Sequence, residues 1–112
     1  MDKELWKNNI FNVIRKISDE LYQKDAWFGS GEKISSPEEL YCELFDDYAY
    51  DDFLHSLDIE ITENQRSIGF KLKDIMSRYA KSVDYLNDAE KVFFDQEWDL
   101  VRTVACEFLD GS

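Results

Sequence analysis

The chain has 112 residues, of which 44% are apolar and 15% aromatic, and this is enough core material for a single domain spanning residues 1–112. Its 25 acidic residues outnumber its 13 basic ones, so the formal net charge is −12. Such a surface repels phosphate backbones and anionic lipids. Nucleic acids and membrane surfaces are therefore not expected as partners, whereas basic proteins are.

Cysteine usage and the absence of apolar runs predict a cytoplasmic protein. Cys42 and Cys106 stand alone on or near the apolar stripes of apparent helices, which predicts buried thiols and no disulfide framework. Residues 1–7 lead into an amphipathic stretch and not into the apolar run of a secretion signal. No segment approaches the roughly 20 apolar residues that a membrane span needs.

The first part of the chain has helical periodicity. Apolar side chains recur at steps of three and four from Trp6 to Leu21, which predicts one helix over about residues 2–24 with this stripe buried. Residues 25–35 contain two glycines and are expected to form a loop. Trp27 and Phe28 are expected to lie in this loop, tucked against the core.

The second predicted helix has a clear start. Ser36 is a good N-cap, Pro37 suits the first helical position, and Glu39 completes a capping box. A short helical piece is predicted over residues 51–57, with Leu57 among its inward side chains. The apolar stripe of the second helix consists of Leu40, Tyr41, Leu44, Phe45 and Tyr48.

Two further helices complete the predicted fold. Thr62 and Gln65 form a capping box that opens a long helix, and Asn87 and Glu90 resemble a third. Residues 59–62 alternate like a strand but are too short to build a sheet. We therefore predict an all-α fold, an irregular antiparallel bundle of four main helices plus one short helix. The last stripe consists of Phe94, Trp98, Val101, Ala105 and Phe108.

Negative charge is concentrated in residues 34–65, which we call the acidic segment. The segment contains ten acidic residues and no lysine or arginine, so it holds ten of the twelve net negative charges. Clustering charges of one sign costs free energy through self-repulsion. A segment that retains such a cluster is therefore expected to use its electric field for binding. The alternative is a solvated helix face without a partner. The acidic residues are Glu38, Glu39, Glu43, Asp46, Asp47, Asp51, Asp52, Asp58, Glu60 and Glu63.

Aromatic residues alternate with these acids over residues 45–53, a composition common at protein interfaces. Tyr48 lies on the apolar stripe, so Tyr50 is the better candidate for an exposed anchor. The predicted partner-binding residues are Glu43, Asp46, Asp47, Tyr50, Asp51 and Asp52.

No catalytic or metal-binding pattern is recognisable, so we expect no enzyme, no metal and no cofactor. His55 is the only histidine, and a lone histidine is usually structural. A nucleophile pair of Cys42 and His55 is conceivable but lacks a local signature. The carboxylate pairs at 46–47 and 51–52 do not have the spacing of a calcium-binding EF-hand loop.

The chain resembles small bacterial immunity proteins encoded beside polymorphic or contact-dependent growth-inhibition toxins. The resemblance is carried by SSPEELYCELFDD at residues 35–47 and by DDFL at residues 51–54, together with the size, acidity and helicity of the chain. It implies a cytoplasmic inhibitor of a toxin domain. Many such toxins are nucleases with basic substrate channels, which an acidic surface suits. The class has no shared catalytic motif, so the resemblance assigns no residue roles.

Two functions remain open at this stage. In the first, an immunity protein occludes the active site of a basic toxin domain with its acidic surface. In the second, an acidic helical adaptor or regulatory module binds another basic protein. An enzyme is the weakest alternative, and the oligomeric state is not indicated.

Overall fold

The computed structural model describes residues 3–28 and 36–110, and helices account for 81% of them, with no strand in this part of the chain. The predicted all-α fold is confirmed. A π-helical segment, Cys42–Asp47, directly continues α3. None of the helices in the described ranges is both long and apolar enough to cross a membrane. The helices are α1 (Lys3–Ser18), α2 (Glu20–Phe28), α3 (Pro37–Tyr41), α4 (Tyr50–His55), α5 (Glu63–Ser82), α6 (Ala89–Phe93) and α7 (Gln96–Asp110).

Helix α7 is the central helix of the bundle, with α1 on one side and α5 on the other. The Gln65 amide at the start of α5 donates a hydrogen bond of 3.1 Å to the Phe108 carbonyl near the end of α7. Tyr79 near the end of α5 packs 5.7 Å from Trp98 near the start of α7. The two helices are therefore antiparallel. The Phe11 ring of α1 contacts Phe108 from the other side at 5.2 Å.

The first predicted helix is in fact two helices. The helix is interrupted at Asp19. The Asp19 carboxylate accepts a hydrogen bond of 3.0 Å from the Tyr22 N–H and so caps the start of α2. Because α2 takes a new direction, Leu21 is exposed, and its assignment to the buried stripe was wrong. Trp27 and Phe28 belong to α2 and not to a loop, although Trp27 does pack against the core. The rest of the predicted loop lies outside the described residues.

A buried polar network stabilises this break. The Gln23 side-chain amide donates hydrogen bonds to the carbonyls of Lys16 and Ile17, at 2.9 and 2.6 Å. These carbonyls lie at the end of α1, where an interrupted helix leaves acceptors without intrahelical partners. The Gln23 side-chain oxygen accepts from Trp98 Nε1 at 3.1 Å and from Arg102 Nε at 2.8 Å. Gln23 therefore joins the α1–α2 break to the first half of α7.

We expect Gln23→Leu to lower the free energy of unfolding by about 1–3 kcal/mol, because two buried donors and two carbonyls lose their partner. The donors are Trp98 Nε1 and Arg102 Nε. The measurement is urea denaturation followed by circular dichroism. The exposed Lys24→Leu, one residue further along α2, is the control. If the two variants unfold at the same urea concentration, the network does not stabilise the fold.

The N-cap at Ser36 and the capping box of Thr62 and Gln65 are confirmed, but among the described residues the Glu39 side chain does not complete the first predicted box. The Ser36 hydroxyl accepts a hydrogen bond from the Glu39 N–H at 3.1 Å, at the start of α3. Thr62 and Gln65 form a reciprocal capping box at the start of α5, with hydrogen bonds of 2.9 and 3.3 Å. Both starts follow from local side-chain chemistry, which the sequence displays directly.

Replacing Ser36 by alanine is expected to cost about 1 kcal/mol of folding free energy, because one N–H at the start of α3 loses its acceptor. Ser36→Asp keeps an acceptor at this position and should stay close to the wild-type stability. Chemical denaturation of the three proteins tests the cap. An alanine variant as stable as the aspartate variant would contradict it.

The third predicted cap is displaced, and the last predicted helix is divided. The cap of α6 is Asp88, and not the predicted pair of Asn87 and Glu90. The predicted helix is interrupted at Asp95. The Asp95 carboxylate accepts hydrogen bonds from the hydroxyls of Tyr85 and Tyr79, at 2.8 and 3.0 Å. The turn leaves Phe94 73% exposed, so its assignment to the buried stripe was wrong.

Three other predictions of burial were also wrong. Leu57 lies beyond the end of α4 and is 91% exposed. Cys42 and Cys106 are both exposed. Cys42 begins the π-helical segment, whose wider turn departs from the 3.6-residue period on which the prediction depended. Cys106 lies outside the stripe that α7 buries through Ala105 and its neighbours.

Candidate partner-binding surface

The predicted site residues lie on the π-helical segment and α4, and two of the five carboxylates form ion pairs within the molecule. Glu43 lies 3.8 Å from Lys16 Nζ of α1. Asp51 accepts a hydrogen bond from Lys73 of α5, which holds the pKa of its carboxyl below the ordinary value. Both carboxylates already have a basic neighbour and are poorer sites for a basic partner than the sequence indicated.

Tyr50 is not an exposed anchor, which corrects the prediction. Its side chain has no exposed surface, and its hydroxyl donates a hydrogen bond of 2.9 Å to the Gly69 carbonyl of α5. A β-carbon at Gly69 would lie 3.2 Å from this hydroxyl and 2.6 Å from Leu54, so the missing side chain of glycine permits the close approach. Tyr50 holds α4 against α5 and offers no surface to a partner.

Asp46, Asp47 and Asp52 are the predicted site residues that remain exposed without an ion pair in the described part of the chain. The fold separates them. Asp46 lines a cavity beside α5 that also contains Lys81. Asp47 and Asp52 line a different groove, on the side of the segment that faces α1.

This groove, which we call the Trp6 groove, has a volume of about 350 Å³ and a mainly apolar lining. Leu5 is 57% exposed there, and the Trp6 ring packs edge-on against buried Phe53, with 5.5 Å between the ring centres. Two carboxylates thus stand beside an apolar surface that is open to solvent. The lining residues are Leu5, Trp6, Asn9, Asp47, Tyr48, Ala49 and Asp52.

The backbone at the groove has an irregular course. The Tyr48 N–H donates to the Glu43 carbonyl at 2.9 Å, a π-helical step of five residues. Ala49 then adopts a left-handed conformation, with φ of 48°, before α4 begins. The indole N–H of Trp6 donates to the Tyr48 carbonyl at 2.6 Å and fixes this turn against α1. The turn places Asp47 and Asp52 on the same side.

The sequence predicted Asp47 and Asp52 but missed the other wall of the groove. Trp6 was predicted to lie in the buried stripe of the first helix, but the residue is only partly buried. Leu5 and Asn9 lie one helical turn apart beside that stripe. The sequence did contain one signal of this wall, because Leu5 is apolar but lies outside the buried stripe. Its position does not show which distant segment packs beside it.

Two lysines of α1 also contact the far end of the acidic segment, one at a carboxylate and one at a backbone carbonyl. Lys3 forms an ion pair of 2.8 Å with Asp58, and this hydrogen-bonded contact lowers the pKa of the Asp58 carboxyl. Lys7 donates a hydrogen bond of 2.7 Å to the Glu60 carbonyl. Fewer acidic residues of the segment are therefore without a basic neighbour than the sequence indicated.

His55 is exposed and is the last residue of α4. Its ring packs edge-on against Phe70 at 5.1 Å, and Nδ1 lies 2.8 Å from the Asp51 carbonyl oxygen. These contacts hold the imidazole ring against Phe70 of α5 and the backbone of α4. Within residues 3–28 and 36–110, no three acidic, histidine or cysteine side chains are grouped as metal ligands would be.

No model of a known protein family, no curated protein and no solved structure gives a significant match to this chain.

Proposed function

We propose that this chain is a cytoplasmic immunity protein that binds a cognate toxin, a basic nuclease domain, and blocks its active site. The observation that supports the proposal is that three acidic side chains of the predicted site, Asp46, Asp47 and Asp52, are exposed and have no ion pair in the described part of the chain. Lysine and arginine residues of a partner would relieve the repulsion among these charges. They would also steer the two proteins together.

An acidic adaptor for another basic protein would use the same surface. The two functions differ in what happens to the partner. An inhibitor abolishes an enzymatic activity at equimolar ratio, whereas an adaptor leaves the partner's own activity in place.

The direct test is to isolate the basic protein that copurifies with this chain from its native cytoplasm and to assay it alone. Under the proposal, the isolated partner degrades nucleic acid and one equivalent of the chain stops the reaction. A partner without nuclease activity, or one whose activity persists in the complex, would contradict a nuclease inhibitor.

The contribution of charge is tested with the triple variant Asp46→Asn, Asp47→Asn, Asp52→Asn. We expect slower association with the isolated partner and a weaker dependence of the association rate on salt, because the variant loses part of the steering field. The measurement is surface plasmon resonance at two salt concentrations.

A matched control removes three other carboxylates from the same acidic segment, through Glu38→Gln, Glu39→Gln and Glu63→Gln. These side chains are exposed and form no ion pair in the described ranges. The net charge changes equally in the two triple variants, so the control isolates position from total charge. If both associate and dissociate at the same rates, binding does not use the proposed surface.

A further inference from the structure

We propose that the Trp6 groove binds an arginine side chain of the basic partner. This inference rests on the proposed function for the existence of a basic partner, and it adds where that partner docks and which side chain it inserts. It also makes a prediction about the chain alone, which is testable before any partner is known.

The size and lining of the groove suit one long side chain. Its volume of about 350 Å³ lies near the lower end of the range of about 300–1,000 Å³ typical of small-ligand pockets. Leu5 and the exposed part of Trp6 provide apolar surface. The methylene stem of an arginine can pack on such surface while its charged end stays at the rim.

The two carboxylates that line the groove favour a cation with several hydrogen-bond donors. Asp47 and Asp52 both line the groove, whereas the neighbouring Asp51 and Glu43 are directed to bases of the chain itself. A guanidinium group carries five N–H donors in one plane, stacks on aromatic rings and is less strongly hydrated than an ammonium group. A guanidinium group bound in the groove would offer donors to Asp47 and Asp52 and a flat face to the Trp6 ring.

Two other acidic cavities in the described part of the chain differ from the Trp6 groove. The cavity that contains Asp46 also contains Lys81. The polar cavity at Asp58 and Glu60 contains two lysines of α1. Among the described residues that line the Trp6 groove there is no base, so an arriving arginine would not compete with a resident cation.

The experiment titrates the full chain with Nα-acetyl-arginine amide and, separately, with Nα-acetyl-citrulline amide, its uncharged analogue of nearly the same shape. Binding is followed by two-dimensional ¹H–¹⁵N nuclear magnetic resonance. The indole N–H of Trp6 reports on the groove because it is held on the Tyr48 carbonyl. We expect the arginine compound to shift this signal and the backbone signals of residues 47–52, with affinity at least about fivefold above that of citrulline.

Two double variants test which carboxylates bind the arginine compound. Asp47→Asn with Asp52→Asn should reduce the affinity for the arginine compound to that for citrulline. Glu38→Gln with Glu39→Gln removes the same charge from the same segment but outside the groove lining, and it should retain most of the affinity. Leu5→Ser tests the apolar wall without changing charge and should weaken both compounds. The unchanged spectrum of the remaining residues verifies the fold of each variant.

Equal affinity for the two compounds, or equal affinity of the two double variants for arginine, would overturn the proposal. So would shifts that map to the acidic segment in general and spare Trp6. Because this titration needs no partner, its failure is distinct from failure of the proposed function. An inhibited nuclease whose complex is insensitive to the Asp47→Asn, Asp52→Asn pair would leave an immunity protein that docks elsewhere.

Discussion

Phe108→Ala is expected to lower the free energy of unfolding by about 3–5 kcal/mol, since it removes a fully buried ring from the centre of the bundle. The ring lies against Phe11 of α1 and would be 3.2 Å from a β-carbon at Gly69 of α5. The cavity left by alanine would therefore lie among all three long helices. A domain of this size has a total stability of about 5–15 kcal/mol, so the variant should be marginally folded.

The matched control is Phe94→Ala, the same substitution at another position of the same predicted stripe. Phe94 is exposed and contacts mainly the rings of Phe93 and Phe28, so its loss should cost less than about 1 kcal/mol. Urea denaturation of both variants provides the comparison. Equal losses of stability would mean that the break at Asp95 does not turn Phe94 away from the core.

Tyr50→Ala is the second substitution with a large expected effect, again about 3–5 kcal/mol, because the aromatic ring is fully buried beneath the acidic surface. Tyr50→Phe keeps the ring and loses only the hydrogen bond to the Gly69 carbonyl, so it should cost about 1 kcal/mol. Thermal or urea unfolding of the two variants separates packing from hydrogen bonding.

The same pair distinguishes a buried support from a binding anchor. Tyr50→Phe should bind the partner as the wild type does, and any loss in Tyr50→Ala should parallel its loss of folded protein. If Tyr50→Phe remained folded but dissociated from the partner much faster, the partner would have to reach the hydroxyl. Burial of Tyr50 would then not persist in the complex.

Local chemistry allowed the sequence to predict the fold class and several helix starts. Ser36 and Thr62 cap helices through side chains that bond N–H groups three residues away, so the signal lies within four residues of sequence. The buried stripe of α7, from Trp98 to Phe108, likewise follows from a 3.6-residue period that persists over about three turns. Such features need no knowledge of distant segments.

The helix breaks and the form of the candidate surface were decided only by tertiary structure. The break at Asp19 is stabilised through Gln23 by Trp98 and Arg102, which lie more than 70 residues further along the chain. Lys73 and Lys16 likewise neutralise acids of a segment that contains no bases. Periodicity within a segment cannot show these contacts, because each depends on which helices become neighbours. For the same reason, the sequence indicated Asp47 and Asp52 but not the Trp6 groove, which exists only where the turn after the π-helical segment packs against α1.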